Sequence, residues 1–232
     1  MRTAIVIPTF NHADRVAGVV AEARQSGLPL IVVDDGSMDH TPKVLAGIEG
    51  ITVLRHPENL GKGAALLTGF AHAAQTCNWA LTIDADGQHR PAEGAALMAA
   101  ARDHGGRVIV VGHRQGMDGA HVPWTSRFGR GFSNFWVWAA GGPRVLDSQS
   151  GFRLYPLPEV LHLGVRARRY QFEVEVLVLA RLQDIATIEV PVSVVYQPRG
   201  ERVSHFQPWR DFWRNSATFS RLIRRRILDR KP

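Results

Sequence analysis

Residues 79–88, WALTIDADGQ, form an apolar run that ends in two carboxylates and an amide. The run is too short to span a membrane and has the length of a buried strand. Asp84 and Asp86 follow it at positions i and i+2, so both side chains can point to one side. Together with Gln88 they offer the hard oxygen ligands that Mg²⁺ or Mn²⁺ prefers. This stretch predicts a strand with a cation site at its carboxyl end.

The same order of apolar run and polar cluster occurs twice upstream. Pro8 and Thr9 follow a run at 3–7, and Asp34 and Asp35 follow a run at 30–33. Helical patterns separate these runs, which predicts a mostly parallel sheet with helices on both faces. Ligands bind such sheets at the carboxyl ends of the strands, where all three clusters are expected to meet. Further predicted elements are strands at 51–54, 108–111 and 185–196, and helices at 14–25, 42–48, 63–75, 91–103, 124–140, 170–182 and 209–229.

Length and composition place the chain among globular proteins with one domain, or with one domain and an appendage. Of its 232 residues, 45% are hydrophobic and 21% are charged, which is ordinary for soluble proteins. The single cysteine, Cys77, excludes an intrachain disulfide and suits a reducing compartment. The N-terminus lacks a long apolar segment with a cleavage site, so it is interpreted as a strand and not as a signal peptide. A cytoplasmic protein is therefore expected.

The formal net charge of +7 lies entirely in the last segment. Residues 199–232 contain 10 Lys or Arg and 3 Asp or Glu, whereas residues 1–198 contain 18 of each sign. On the predicted last helix, apolar residues recur at three- and four-residue steps, and arginines occupy much of the rest. Both an interfacial helix on anionic lipid and a helix docked on the core have this pattern. We expect a domain at 1–205 followed by a basic amphipathic helix at 206–232, with both roles open.

Two further polar stretches indicate contacts to phosphate or to an acceptor. NLGKG at 59–63 is not a Walker A motif, but it places Lys62 at a helix N-terminus, a setting that favours anions. DSQSGFR at 147–153 lies between apolar stretches and supplies Asp147 as a carboxylate base or orienter. Isolated histidines such as His56 are interpreted as surface or packing residues.

As a set, these motifs resemble the family 2 glycosyltransferases. Within that family the chain looks most like the dolichyl- or polyprenyl-phosphate sugar synthases. The resemblance implies an A-type glycosyltransferase fold, Mg²⁺ or Mn²⁺ as cofactor, and inverting transfer from a nucleoside diphosphate sugar, either a UDP- or a GDP-sugar. The matching stretches are IVIPTFN (5–11), VVDDGSMDHT (32–41), NLGKGAAL (59–66), IDADGQH (83–89) and DSQSGFR (147–153), in the family's order.

The resemblance also assigns roles on the donor side. Asp35 would bind the base, Lys62 would lie near the nucleotide, and Asp86 would serve catalysis. Asp84, Asp86 and Gln88 would hold the metal with the diphosphate. The whole nucleotide-sugar set is Pro8, Thr9, Asn11, Asp34, Asp35, Lys62, Asp84, Ala85 and Asp86.

On the acceptor side, the resemblance assigns several arginines and serines. Arg202 would act in catalysis from a late loop that closes over the diphosphate. The chain departs from the family's pattern at His12, where an acidic residue is usual, and at His205, where a lysine is usual. The acceptor-binding set is Arg114, Arg127, Arg130, Ser133, Arg153, Arg199 and Ser204.

The expected function is transfer of a sugar to a polyprenyl phosphate or another lipid, by a protein peripheral on the cytoplasmic face of the membrane. A lipid phosphate is already anionic and needs no strong base. A hydroxyl acceptor, on a lipid or a glycan, is the alternative, with Asp147 taking the proton. A nucleic-acid-binding protein using the Arg-rich tail is a further alternative. It leaves Asp84 and Asp86 unexplained, so no nucleic-acid partner is expected.

Overall fold

The computed structural model describes residues 1–116, 124–194 and 218–224, with the backbone alone at 124–128. Strands and helices alternate through the first half of the chain, as the sequence predicts. The strands are β1 (Thr3–Thr9), β2 (Leu30–Asp34), β3 (Thr52–Arg55), β4 (Trp79–Thr82), β5 (Val108–Arg114), β6 (Arg153–Pro156) and β7 (Ala186–Val192). The helices are α1 (Ala13–Arg24), α2 (Thr41–Ala46), α3 (Lys62–Ala73), α4 (Gly94–His104), α5 (Trp124–Ala139), α6 (Glu159–His162) and α7 (Phe172–Leu182), with a 3₁₀ turn at Pro91–Glu93.

All strands of this described part join one sheet in the order β3-β2-β1-β4-β6-β5-β7. The prediction of a mostly parallel sheet is confirmed, with one exception. β6 pairs antiparallel with β4 and with β5. The sequence analysis missed β6 because it has only four residues, begins with an arginine and ends with a proline, so it lacks the pattern of a strand.

Helices cover both faces of the sheet, and β1 shows how. Val6 joins a core cluster with residues of α3, α5 and α7. Ile5 and Ile7 join the cluster that contains residues of α1, α2 and α4. Successive strand residues point to opposite faces, so a strand covered on both sides must be apolar throughout. Within the described residues, no helix is long and apolar enough to cross a bilayer.

Residues 218–224 are helical and pack on the same face as α5 and α7. Phe219 and Leu222 are only 2% and 1% exposed. The ring of Phe219 stacks on Trp136 of α5, with 6.1 Å between the centroids, and Arg221 donates to Glu175 at 2.8 Å. This part of the predicted last helix docks on the core. The remainder of 209–229 lies outside the described residues.

The close packing of α3 on β1 predicts the outcome of two glycine substitutions. A Cβ at Gly69 would overlap Cγ1 of Val6 and lie 3.2 Å from Cγ2 of Val33. We expect Gly69→Ala to lower the free energy of unfolding by about 1–3 kcal/mol through overpacking. Gly18 is the matched control, since it lies inside α1 with nothing within 4 Å of its Cβ position. Gly18→Ala should raise stability by up to about 1 kcal/mol. Urea denaturation measures both, and equal effects would contradict the packing argument.

Candidate active site

A pocket of about 510 Å³ lies at the carboxyl ends of β1, β2 and β4. Most predicted donor residues line it together with the predicted metal ligands, although they come from four separate stretches of sequence. Asn11 and Asp34 belong to the predicted donor set but do not line the pocket. The predicted residues that do are Pro8, Thr9, Asp35, Lys62, Asp84, Ala85, Asp86 and Gln88.

Asn11 and Asp34 brace the loops beside the pocket. The backbone N–H of Asn11 donates to the Ser37 hydroxyl at 2.9 Å, and the N–H of Met38 donates to the Asn11 side-chain oxygen at 2.9 Å. Asp34 is buried and accepts the Ser37 N–H at 2.9 Å. The Asn11 side chain thus holds the turn after β2 against the turn after β1, and the Asp34 side chain closes the turn after β2.

Asp35 organises the loop that precedes α3. Its two carboxylate oxygens accept the backbone N–H groups of Leu60 at 3.0 Å and Gly61 at 2.7 Å. Nδ1 of His56 lies 2.7 Å from the same carboxylate, and Nε2 of His56 lies 2.9 Å from the Thr68 hydroxyl. His56, interpreted from the sequence as a surface or packing residue, is therefore buried and has a polar partner at each ring nitrogen. Its role has no local signal in the sequence, since its partners are 21 and 12 residues away.

Lys62 lies between two carboxylates. Its Nζ is 2.7 Å from Oδ1 of Asp84 and 2.5 Å from Oε1 of Glu173 in α7. Burial alone would lower the pKa of Lys62, but the two carboxylates outweigh it and raise the pKa above its ordinary value. The pKa of Asp84 is held below its ordinary value, because the charge of Lys62 outweighs the opposing effect of burial. Both groups are therefore charged at neutral pH. Glu173 was not among the predicted site residues.

The predicted metal ligands fit a divalent cation that is also coordinated by the oxygens of a diphosphate. Asp84, Asp86 and Gln88 line the same pocket and offer two carboxylates and one amide oxygen. Asp86 also accepts the backbone N–H of Gln88 at 3.0 Å, which fixes the turn. Across the described ranges, no three His, Cys, Asp or Glu side chains form a cluster that could hold a metal. The donor set therefore suits Mg²⁺ or Mn²⁺ when phosphate oxygens complete the coordination.

Arg114 and Asp147 form a two-point ion pair at the pocket wall. Nε and Nη2 of Arg114 donate to the two oxygens of Asp147 at 2.7 and 2.9 Å. Arg114 lines the pocket, whereas Asp147 is only 1% exposed. Burial raises the pKa of Asp147, but the hydrogen bonds and charge of Arg114 outweigh it and hold the pKa below its ordinary value. The carboxylate therefore orients the arginine and is a weak proton acceptor.

Arg153 lies below the pocket and not on its wall, so its contacts are not those expected of an acceptor-binding residue. The side chain is fully buried. Its guanidinium donates to three backbone carbonyls, those of Ser150 at 2.6 Å, Glu173 at 2.7 Å and Ser148 at 2.8 Å. Ser148 in turn donates to the buried hydroxyl of Ser133 at 2.9 Å. Arg153 and Ser133 therefore shape the acceptor-side loop from beneath.

The pocket also contains residues that the sequence analysis missed. His89, Gln149, Arg169 and Tyr170 line it. Arg169 donates to the side chain of Asn59 at 3.2 Å, and His89 stacks on Phe152. Burial lowers the pKa of His89 to about 4, so its imidazole is neutral at pH 7. Arg169 and Tyr170 are distant in sequence from the other motifs and precede a helix, a position with no distinctive pattern.

Several predicted residues lie where the structure gives no information on their side chains. Arg199, Arg202 and Ser204 are outside the described residues, and the side chain of Arg127 is as well. Arg130 is described as half-buried on α5, and its charge contributes to the lowered pKa of Asp147. The backbone carbonyl of Gly129, next to it, accepts from the pocket residue Gln149 at 3.4 Å.

Comparison with solved structures defines the class of protein. The chain superposes on glucosyl-3-phosphoglycerate synthase of Mycobacterium tuberculosis, solved with Mg²⁺ and UDP, with a TM-score of 0.71 and 21% identity. The match covers 95% of this chain and 79% of that one. The fold is the A-type glycosyltransferase fold, as the sequence predicts.

Sequence comparison identifies the family. The sequence model of the protein family "Glycosyl transferase family 2" matches residues 4–156, and the chain belongs to that family. A UDP-N-acetylglucosamine–dolichyl-phosphate N-acetylglucosaminyltransferase of Methanococcus voltae is 29% identical, over 83% of this chain and 85% of its own length. A dolichyl-phosphate beta-glucosyltransferase of Trichomonas vaginalis is 30% identical, over 82% of this chain and 63% of its own length. The resemblance to lipid-phosphate sugar synthases is thus confirmed.

The ion pair between Arg114 and Asp147 predicts a pH-dependent loss of stability. Asp147→Asn leaves Arg114 without its charge partner, and we expect a loss of about 3 kcal/mol near neutral pH. The native pKa of Asp147 lies below its unfolded value, so the pair stabilises above the unfolded pKa and is lost as the pH falls through the native pKa. The difference between variant and wild type should therefore shrink below about pH 4.

Urea unfolding at a series of pH values measures this effect. The exposed Asp103 in α4 serves as control, because Asp103→Asn should change stability by less than about 0.5 kcal/mol at any pH. A loss for Asp147→Asn that does not depend on pH would show that packing, and not charge, holds this residue in place.

Proposed function

We propose that the protein transfers a sugar, with inversion, from a nucleoside diphosphate sugar to a polyprenyl phosphate or another lipid phosphate at the cytoplasmic face of the membrane. The observation that carries the proposal is the presence of opposite charges in one pocket. Asp84 and Asp86 line the same pocket as Arg114. The two carboxylates suit a metal-bound diphosphate, and the arginine suits an anionic acceptor.

The donor would bind on the side of the two carboxylates. Asp84, Asp86 and Gln88 would hold Mg²⁺ or Mn²⁺ against the diphosphate, and the bound cation would stabilise the negative charge of the leaving group. Lys62 and the loop held by Asp35 would lie at the nucleotide. Lys62 stays charged, so it keeps Asp84 ionised and ready for a cation. The solved relative with Mg²⁺ and UDP supports this placement at the level of the fold.

The acceptor would approach from the side of Arg114. An oxygen of the acceptor phosphate would attack the anomeric carbon as the bond from that carbon to the diphosphate breaks, and the nucleoside diphosphate would leave with the electron pair. The acceptor oxygen is already anionic, so no proton has to be removed. Arg114 would hold the acceptor phosphate in line, in an orientation fixed by Asp147.

A hydroxyl acceptor, the alternative considered from the sequence, is less well supported. It requires a base with a pKa near the working pH, and the residue expected to serve was Asp147. That carboxylate accepts from Arg114 through both oxygens, is buried, and has a lowered pKa. The dolichyl-phosphate transferases among the relatives also favour the phosphate acceptor. A lipid acceptor would place the protein at a membrane surface, which we propose to be the cytoplasmic face.

The metal assignment is tested with Asp86→Ala. Purified protein is mixed with Mg²⁺ or Mn²⁺, a panel of UDP- and GDP-sugars, and polyprenyl phosphate, and release of the nucleoside diphosphate is followed. We expect lipid-dependent release with one donor, abolished by a chelator and lowered at least about 100-fold in Asp86→Ala, because a ligand of the leaving-group cation is lost. Asp103→Asn should keep wild-type rates. A fully active Asp86→Ala enzyme would refute the metal site.

The acceptor assignment is tested with Arg130→Gln, because Arg130 belongs to the expected acceptor-binding set and its charge acts on Asp147, the partner of Arg114. Loss of one charged contact to the lipid phosphate is expected to raise KM for polyprenyl phosphate about tenfold or more, while KM for the donor stays unchanged. Arg102→Gln, on the exposed side of α4, is the control for loss of positive charge. A rise in KM for the donor alone would indicate that Arg130 binds the nucleotide sugar and would contradict the assignment.

A further inference from the structure

We infer that the outward face of α5, together with the loop that follows it, is a docking surface for an anionic phospholipid bilayer. This surface, called here the aromatic face, consists of Phe135, Trp138, Arg144 and Leu146. It is separate from the last helix that the sequence indicates for membrane contact. The inference deepens the proposed function, on which it rests, because it names the surface that would bring the pocket to a lipid acceptor.

The helix α5 has two opposite faces of unlike character. Ser133 and Val137 point inward and are buried, at 1% and 0% exposure. Phe135 and Trp138, three residues apart, point outward and are 53% and 46% exposed. A helix that packs on a core normally turns polar side chains to the solvent. Here two of the largest apolar side chains take that position, and this calls for a partner.

The aromatic face is continuous and ordered by contacts among its members. The rings of Phe135 and Trp138 have centroids 6.0 Å apart. The guanidinium of Arg144 lies over the Trp138 ring, 5.5 Å from its centroid. Leu146 is 63% exposed, and its carbonyl accepts from the Asn134 side chain of α5 at 2.8 Å. Apolar rings, an aliphatic side chain and a cation thus share one surface.

The charge around this face identifies the partner. Residues 129–146, the part of α5 and of the following loop whose side chains are described, contain no Asp or Glu and two arginines. Glu189 of β7, a carboxylate that approaches from another element, is engaged by the backbone N–H of Leu146 at 2.9 Å. A surface with aromatic rings, a cation and no acidic residue of its own matches the interface of a bilayer, where rings lie at the headgroup level and arginines meet lipid phosphates.

Neighbouring residues connect the aromatic face to the described part of the last segment. Trp136 contacts Phe135 on one side, at 5.4 Å between centroids, and stacks on Phe219 on the other. Phe219 is buried, and the described residues around it, 218–224, include the exposed Arg224 and no Asp or Glu. The charge of Arg224 adds to the attraction for anionic lipid.

The test uses the full chain and vesicles without any sugar acceptor, so that the active site does not contribute. Partition into vesicles of phosphatidylcholine mixed with phosphatidylglycerol is compared with partition into phosphatidylcholine alone, by flotation. We expect the wild type to bind the anionic vesicles. The double variant Phe135→Ser, Trp138→Ser should bind at least about tenfold less, because two aromatic side chains lose their burial in the interface.

Matched controls separate docking from misfolding. Val53→Ser removes an apolar side chain that is 42% exposed on edge strand β3, and it should bind vesicles like the wild type. Binding of UDP or GDP with Mg²⁺, whichever nucleotide the wild type binds, should be equal in all three proteins by calorimetry. A polarity-sensitive dye on Phe135→Cys provides an independent measurement that needs no double variant. The native Cys77 is buried and should not react with the dye. Wild-type protein treated with the same dye therefore serves as the blank.

A blue shift of the dye on anionic vesicles and loss of binding in the double variant support the docking surface. Wild-type binding by the double variant, or a dye that stays in water, overturns it. A dimer that dissociates in the double variant, without a change in vesicle binding, also overturns it and makes a second copy the partner. Failure of the proposed function is distinct: vesicle binding would persist while no lipid phosphate accepts sugar from any donor.

Discussion

The ammonium of Lys62, held between Asp84 and Glu173, is the contact on which the pocket depends. The three residues come from the start of α3, the end of β4 and the first turn of α7, and Lys62 and Glu173 are 111 residues apart in the sequence. Moving charges out of water costs several kcal/mol per ion unless each has a partner. None of the three elements can shift without leaving a charge unpaired, so the ion cluster fixes the donor wall as a unit.

The acceptor-side loop depends on the same cluster. Gly151 lies so close to Lys62 and Asp84 that its Cβ position would overlap both. From beneath, Arg153 donates to the carbonyl of Glu173, whose carboxylate holds Lys62. One residue of α7 thus supports both walls of the pocket, its side chain the donor wall and its carbonyl the acceptor loop. Displacement of α7 would disturb donor and acceptor sites together.

The sequence predicts the location of the site better than its internal contacts. Pro8, Asp35 and Asp84 were placed together because each follows an apolar run, and the carboxyl ends of strands meet at one edge. The partners of Asp35 and Lys62 were not predicted, because His56 and Glu173 are joined to them only by tertiary contact and no periodicity marks such pairs. The residue type also gives no indication of the position of Arg153. Arginine is mostly exposed in proteins, whereas Arg153 is fully buried.

A lipid phosphate poses a problem of reach, since its headgroup must enter the pocket while its chain stays in the bilayer. The two faces of α5 address this problem within one helix. Ser133, under the acceptor loop, and Trp138, on the aromatic face, differ by five residues, which corresponds to about 7.5 Å along the helix axis, and the helix itself is about 10 Å across. If the aromatic face rests at headgroup level, the acceptor loop lies roughly one helix diameter away from that level. A phosphate could cover that distance with only the first part of its lipid leaving the interface. Docking through a helix that also supports the pocket would therefore keep the site close to the bilayer and limit the length of apolar chain exposed to water.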